Sequence, residues 1–280
     1  MSREVRIRFA LPGDPVDFPL EVSGDPTALS YTWVTARDSV TTDSVRPITG
    51  ASFSAPARPG FYRLAILRGL ERQVITEPTV AVMVPFTQRR GGMLNGYRIG
   101  TYLADRITQH DHPDGFLQVD ESDVDLRVST HLKLGDFITH DGQADVWPKY
   151  VALNPRLLDK LELVLAKVGS SARFARADEA PRDVAFDVHS GFRTPAHNSG
   201  VWGAVTDSRH EYGDAADVAI DANGDGRVTL ADELLVARAV EQVELEHPEL
   251  VGGLGLYTSG DYRSPYVHID TRGTRSRWKG

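Results

Sequence analysis

Two histidines and an aspartate are the residues most able to do chemistry in this chain. His210 and Asp217 stand seven positions apart in Ser208-Arg-His-Glu-Tyr-Gly-Asp-Ala-Ala-Asp217, and His268 lies in Pro265-Tyr-Val-His-Ile-Asp270. Two imidazoles and one carboxylate leave the fourth position of a tetrahedral ion open, which is the pattern of a catalytic zinc and not of a closed structural one. The chain has no cysteine, so disulfides, thiolate zinc sites and a cysteine nucleophile are excluded, and His and carboxylates are its only strong metal ligands. A second constellation follows directly. Asp221, Asn223 and Asp225 occupy positions one, three and five of a twelve-residue loop, the Arg227 carbonyl falls at seven, Thr229 at nine and Asp232 at twelve. With Gly226 at six and an aliphatic Val228 at eight, this is the EF-hand calcium pattern, ending on Asp where Glu is usual, as in dockerin-like loops.

These side chains need elements to carry them. A turn at Gly213 followed by a strand over Ala216-Asp-Val-Ala-Ile220 lets the chain double back and bring His210 and Asp217 to one ion. A strand over 265–270 puts Tyr266, His268 and Asp270 on one face, because side chains alternate with period two. Asn154 reads as the N-cap of a helix with Pro155 at its first position and Gly169 at its end. Leu157, Leu161, Val164, Leu165 and Val168 form that helix's apolar face. Thr194 caps a short helix at Pro195. Thr229 and Asp232 cap another from Leu230 to about Leu245, with Leu234, Ala237, Val240 and Val243 as its apolar face. Mixed helix and strand from Ser129 onward predicts an α+β domain over residues 129–280.

Upstream the pattern changes. Val5/Ile7/Phe9, Phe18/Leu20/Val22, Tyr31/Trp33, Tyr62/Leu64/Ile66 and Val80/Val82/Val84 alternate between closely spaced turn signals, which predicts an all-β sandwich over residues 1–86. Pro59-Gly-Phe-Tyr-Arg-Leu64 resembles the tyrosine-corner strand of Ig-like domains, with Leu64 where antibody domains have their second cysteine and Trp33 as the matching core tryptophan. Residues 87–128 read as a connector rich in glycine and polar residues. Its His110, Asp111, His112 and Asp114 read as a solvated loop, with a metal site as the alternative.

The formal charge of −8 and the absence of any basic run longer than Gln88-Arg89-Arg90 argue against nucleic acid as a partner. Apolar residues at 41% and charged residues at 25% fit a soluble globular protein with no membrane-spanning window. No signal-peptide h-region is visible in Met1-Ser-Arg-Glu-Val-Arg-Ile-Arg-Phe9.

Ser190-Gly-Phe-Arg-Thr-Pro195, Ser208 to Asp217, Gly252-Gly-Leu-Gly-Leu-Tyr257, Tyr266-Val-His-Ile-Asp-Thr271 and the closing Arg277-Trp278 follow one another in an order that resembles the zinc D-alanyl-D-alanine carboxypeptidase family. That family includes murein endopeptidases and vancomycin-resistance dipeptidases, and more distantly the Hedgehog signalling domain. The resemblance covers residues 129–280. It implies that His210, Asp217 and His268 hold zinc and that Arg193 binds or polarises the substrate beside the scissile amide. It also implies metal-assisted hydrolysis of peptide bonds in peptidoglycan stem peptides or crosslinks. The calcium loop points separately to an exported protein, periplasmic or extracellular, where millimolar calcium keeps even a weak site filled. This chain departs from the family at the general base: better-known members place Glu or Asp three positions before the second histidine, or His two before it, where Pro265 and Tyr266 stand here. Asp270 is the first candidate for the base, with an orienting role behind an imidazole as its alternative. Asp261, Glu211 and His189 are reserves, and Tyr266 is read as a substrate contact that can donate to an oxyanion. Two rival readings are a catalytically inactive wall-binding or protein-binding module that keeps the zinc fold, and a phage or toxin component with the same chemistry.

Overall fold

Alternating burial builds the N-terminal part. A computed structural model describes residues 5–18, 28–175, 184–258 and 264–280, so Leu20 and Val22 of the expected second strand lie outside the described residues. The first sheet runs in the order Ile7–Ala10, Thr79–Val82, Gly60–Arg68, Ser30–Thr35, Arg46–Pro47, with Glu71–Val74 also paired to Gly60–Arg68. Its first pair is parallel and the rest are antiparallel. A small sheet of Pro15–Asp17 and Ser52–Ser54 accompanies it. One core joins Phe18, Tyr31, Trp33, Phe53, Tyr62, Leu64, Val80 and Val82. Phe18 and Tyr31 both meet Phe53 edge to face, at 5.8 and 4.9 Å between ring centres, an arrangement that suits the aromatic quadrupole. Trp33 and Leu64 are directly opposite partners, both fully buried, and the Tyr62 hydroxyl donates to the Arg58 carbonyl at 3.0 Å.

Period two then divides the Thr79–Val82 strand between two cores. Val80 and Val82 face the aromatic layer just described, whereas Ala81 belongs to a larger core that runs to Ile269. Residues 87–128, expected to be a connector, are built into that larger core: Leu94, Tyr97, Ile99, Tyr102, Phe116, Leu117 and Val119 are buried there. Gly115–Val119 pairs with both Val84–Pro85 and Lys149–Val151 in a three-stranded antiparallel sheet. Apolar residues scattered among glycines carry no visible period, so a long irregular segment reads as surface even when its side chains are core.

The larger core also holds α1 (Pro155–Ala175) and α3 (Leu230–Glu246), packed on one face of a five-stranded sheet. The short α2 (Pro195–Asn198) lies between them in sequence. The order of the sheet is Phe186–Ser190, Ala215–Ile220, Tyr266–Asp270, Gly253–Tyr257, Ser276–Lys279. Ala216, Val218, Ile220, Val267, Ile269, Leu254 and Leu256 turn toward the helices. By alternation Asp217, His268, Asp270, Gly255 and Tyr257 turn to the other face.

Two helix expectations need correction. Asn154 caps α1 as expected, its Oδ1 accepting from the Arg156 N–H at 2.9 Å, but the helix passes through Gly169 and continues to Ala175. Gly169 therefore lies inside the helix and does not end it. In α3 the buried stripe is Val236, Ala239, Val240 and Val243, while Leu234 is exposed. The helix is therefore rotated from the expected Leu234/Ala237/Val240 face. Among the described residues no helix is long and apolar enough to cross a membrane. The whole is a mixed α+β architecture, mostly strands in several sheets with few helices.

Candidate metal centre

One row of residues crosses the five-stranded sheet. Ser190 is opposite Asp217, Asp217 opposite His268, His268 opposite Gly255, and Gly255 opposite Trp278. Directly opposed residues share a face and bring their Cβ atoms to about 5 Å, which is how Asp217 and His268 come to meet. His210 arrives from a single 3-10 turn, Arg209–Tyr212, that ends on Gly213 at φ +69°. A Cβ on Gly213 would lie 2.1 Å from the Ala152 carbonyl oxygen, so only glycine lets this turn sit against the end of the Lys149–Val151 strand.

His210, Asp217 and His268 are all buried and their ligand atoms form one group that could hold a metal ion, the one such group among the described residues. His268 Nδ1 lies 2.9 Å from Asp217 Oδ1, His210 Nε2 lies 3.3 Å from the same oxygen, and the two nitrogens are 3.2 Å apart. A tetrahedral ion with bonds of ~2.0–2.1 Å holds its ligands about 3.3 Å from one another, so this triangle fits. The remote ring nitrogens are tied as metal-binding imidazoles require. His210 Nδ1 donates to the Gly191 carbonyl at 2.7 Å, and His268 Nε2 donates to Asp270 Oδ2 at 3.1 Å. Each bond leaves the nitrogen that faces the group as the electron-pair donor.

Electrostatics follow the same geometry. Burial alone would raise the Asp217 carboxyl, but the two imidazoles hold it well below the ordinary carboxylate range. Burial pushes His210 down from the ordinary imidazole value, more than Asp217 raises it. His268 is opposed by burial too, yet Asp217 and Asp270 on its two sides raise it.

Arg193 is brought to this centre. Its Nε donates to Ser190 Oγ at 2.7 Å and its Nη2 to Asp217 Oδ2, the carboxylate oxygen turned away from the imidazoles. Its backbone N–H donates to the His210 carbonyl at 3.1 Å. Buried Thr139 straddles it, donating to the Phe192 carbonyl and accepting from the Thr194 N–H. The 650 Å³ cleft over the group is lined by Arg193, Trp202, Arg209, Tyr257, Tyr266, Arg272 and Trp278, with the three ligand residues. Tyr266 thus lies in the wall, stacked face to face on Tyr257 at 4.6 Å.

Asp270 is placed behind His268. Its carboxylate is fully buried and accepts from the Gly253 N–H at 2.7 Å, the Arg272 N–H at 3.1 Å and the Arg272 guanidinium, besides the imidazole. Of the reserves, Glu211 accepts from Asn198 Nδ2 at 2.7 Å beside a neighbouring hollow of 280 Å³, its pKa pushed up to about 7 by burial. His189 pairs with Asp187 at 3.3 Å, and Asp261 lies outside the described residues. Among the described residues of the cleft lining, Asp217 is the one carboxylate and the two ligands are the only imidazoles.

In the 221–232 loop, Asp221 accepts from the N–H groups of Gly224, Asp225 and Gly226, Asn223 Oδ1 from that of Asp225, and Asp225 Oδ1 from that of Arg227. Asp232 is buried and caps α3, accepting from the Thr229 N–H at 2.8 Å and hydroxyl at 2.7 Å. These carboxylates do not converge as the His–Asp–His group does. Nor do the residues of the 110–114 stretch: the His112 ring stacks on Phe86 at 4.1 Å, and His110 lies 3.4 Å from Asp207.

Sequence reasoning missed the Ser190 and Thr139 supports of Arg193, and the Trp202, Arg209 and Arg272 lining. Tyr257 and Trp278 stood inside quoted motifs, but no spacing rule shows that they meet. The fold and site define a mixed α+β protein with a buried His–Asp–His group able to hold a metal ion. A scan against protein-family models and a search of curated proteins gave no match to this chain.

Proposed function

We propose that the chain is a zinc-dependent peptidase acting on peptidoglycan stem peptides or crosslinks, with a catalytic part of the D-alanyl-D-alanine carboxypeptidase kind behind an Ig-like sandwich. The observation that carries this reading is the triangle of His210 Nε2, Asp217 Oδ1 and His268 Nδ1, with edges of 2.9–3.3 Å, beside Arg193 in a cleft of 650 Å³. Zinc, when bound, supplies Lewis acidity toward the amide carbonyl. The chain's own residues do the rest. The Gly191 carbonyl and Asp270 fix the two rings, so Asp270 is a positioning residue in this reading. Arg193 offers a guanidinium to the charge that develops on the substrate, or forks onto a substrate carboxylate. Tyr266 gives an aromatic wall against which the peptide rests.

Chromatography of muropeptides after incubation of sacculi with zinc-loaded protein tests the reading. Product is expected from the wild type and none from His210→Ala. A second reading is favoured by the cleft lining, which among the described residues offers no carboxylate or imidazole side chain besides the ligands: a wall-binding module that retains the zinc fold. Absence of product at every zinc loading, with retention on sacculi, would select that module and sink the peptidase.

Calcium is the second ion of the proposal, held by Asp221, Asn223, Asp225, the Arg227 carbonyl and Asp232. The register of oxygens in the sequence supports it, as does Gly226 at φ +85° in position six, where the loop turns sharply. Millimolar calcium should raise the melting temperature of the wild type and not of Asp221→Ala. An unchanged wild-type melting temperature removes calcium from the account.

A further inference from the structure

The cleft contains a polar group that neither metal binding nor the Arg193 contacts use. Tyr257 closes the Gly253–Tyr257 strand, and its hydroxyl accepts a hydrogen bond from the indole Nε1 of Trp278 at 2.8 Å. Indole N–H is a donor only, so the hydroxyl must act as acceptor in that bond and its own hydrogen must point elsewhere. Among the described residues, the Trp278 bond is the hydroxyl's one hydrogen bond.

The surroundings place this hydroxyl in the metal centre's cleft. Trp278 is at the end of the row that runs through Asp217, His268 and Gly255, and its ring lies flat over Gly255: a Cβ there would stand 2.5 Å from Nε1. The indole and the His268 ring are 5.1 Å apart. Gly255 is opposite His268 at the strand spacing of ~4.8 Å, and the Tyr257 oxygen is one hydrogen bond from an atom above Gly255. Tyr257, Trp278 and His268 line the same cleft, and the Tyr257 ring is held from its other side by Tyr266, nearly parallel at 3°. Stacking fixes the plane of the ring and the indole fixes the acceptor side of the oxygen. A donor so constrained needs no reorganisation when charge appears in front of it, which is the property that makes an oxyanion-hole donor effective.

We propose that the Tyr257 hydroxyl donates a hydrogen bond to the scissile carbonyl oxygen of the bound peptide as negative charge builds on it, and that Trp278 is its positioning residue. The proposal rests on the peptidase reading above. It assigns to Tyr257 the donor role that the sequence suggested for Tyr266, and leaves Tyr266 as wall. No bond to the tyrosine oxygen is made or broken.

The test compares wild type, Tyr257→Phe and Trp278→Phe, all zinc-loaded, in hydrolysis of a muropeptide and in calorimetric binding of a phosphinic dipeptide that mimics the tetrahedral state. Tyr257→Phe should lower kcat by about 10²–10³-fold with KM unchanged, because the interaction forms only in the transition state. Affinity for the phosphinic dipeptide should fall with it, while zinc content and melting temperature stay at the wild-type level. Trp278→Phe should show a smaller loss of the same kind, since it removes the N–H that holds the Tyr257 hydroxyl while an aromatic ring stays in the cleft wall. Wild-type kcat and phosphinate affinity in Tyr257→Phe would overturn this proposal alone, as would a loss matched by lost zinc or lowered melting temperature. Wild-type protein that binds the phosphinic dipeptide and releases no product would overturn the peptidase reading, and this proposal with it.

Discussion

Asp270 illustrates how much depends on which side of an imidazole a carboxylate occupies. Sequence places it on the same strand face as His268, and that face is compatible either with taking a proton in the cleft or with steadying the ring. Backbone pairing places the carboxylate behind the ring, because Gly253 and the following Arg272 supply N–H groups on the side remote from Asp217. Burial would raise the Asp270 carboxyl, but His268 and Arg272 hold it well below its ordinary value, so it remains a carboxylate and a strong acceptor. Asp270→Asn keeps the shape and removes the charge. Zinc affinity measured by chelator competition should fall by about 10–100-fold, with the fold intact by circular dichroism. Gly255 is a second residue whose role is invisible in sequence. In Gly255→Ala the new methyl meets the Trp278 indole, and overpacking of this kind costs about 1–3 kcal/mol, read as a lower denaturation midpoint together with altered tryptophan fluorescence. His210, Asp217, His268 and Arg193 were legible because their residue types are chemically narrow and their motifs are ordered. The supports were not: a carbonyl from Gly191 or a hydroxyl from Thr139 belongs to residue types that occur everywhere.

The elements that position the centre were legible where a cap or a period marks them. Thr194 accepts from the His197 N–H at 3.1 Å, and Thr229 with Asp232 forms the box at the start of α3. What sequence did not show is how the helices lock to the sheet. Lys160 of α1 is fully buried, where a lysine reads from sequence as a solvent-facing residue. Its Nζ donates to Glu244 Oε1 of α3 and to the Asp270 carbonyl of the central strand, both at 2.7 Å. Glu244 also accepts from the Gly252 N–H at 3.1 Å and from the Arg277 guanidinium. One lysine thus joins two helices and the strand that carries His268. Burial lowers the Lys160 pKa, and Glu244 opposes that shift. Lys160→Ala removes one partner of a buried pair and opens a space, so it should destabilise by about 3–5 kcal/mol in urea denaturation. Lys160→Met fills the volume without the charge and should cost clearly less, because Arg277 still pairs with Glu244.

At the scale of the whole molecule, the boundary expected near residue 86 meets two continuous structures. The Thr79–Val82 strand is shared, Val80 and Val82 facing one core and Ala81 the other, and Ile7 of its parallel neighbour also belongs to the larger core. Val84–Pro85 then forms the edge of the sheet with Gly115–Val119 and Lys149–Val151, and the last of these leads to Ala152, against which the Gly213 turn rests. Residues 87–128 reach the centre from the other side: the Ala196 N–H donates to the Ile99 carbonyl at 3.0 Å, and the Tyr102 hydroxyl donates to the Glu211 carbonyl at 2.9 Å, next to His210. A composition shift marks where strand-rich sequence gives way to mixed sequence, but it carries no information about which side chains cross that line. Removal of residues 1–86 would uncover Phe116 and Tyr102, on which Phe86 packs, and take away the strand beside Gly115–Val119. Buried aromatic side chains contribute about 1.5–3 kcal/mol each, so several left uncovered exceed the ~5–15 kcal/mol margin of a typical fold only when backbone pairing is lost as well, as it is here. The fragment 87–280 should therefore lose its sharp thermal transition and bind zinc poorly. A cooperative transition in 87–280 with full zinc affinity would show that the larger core closes without the first sheet.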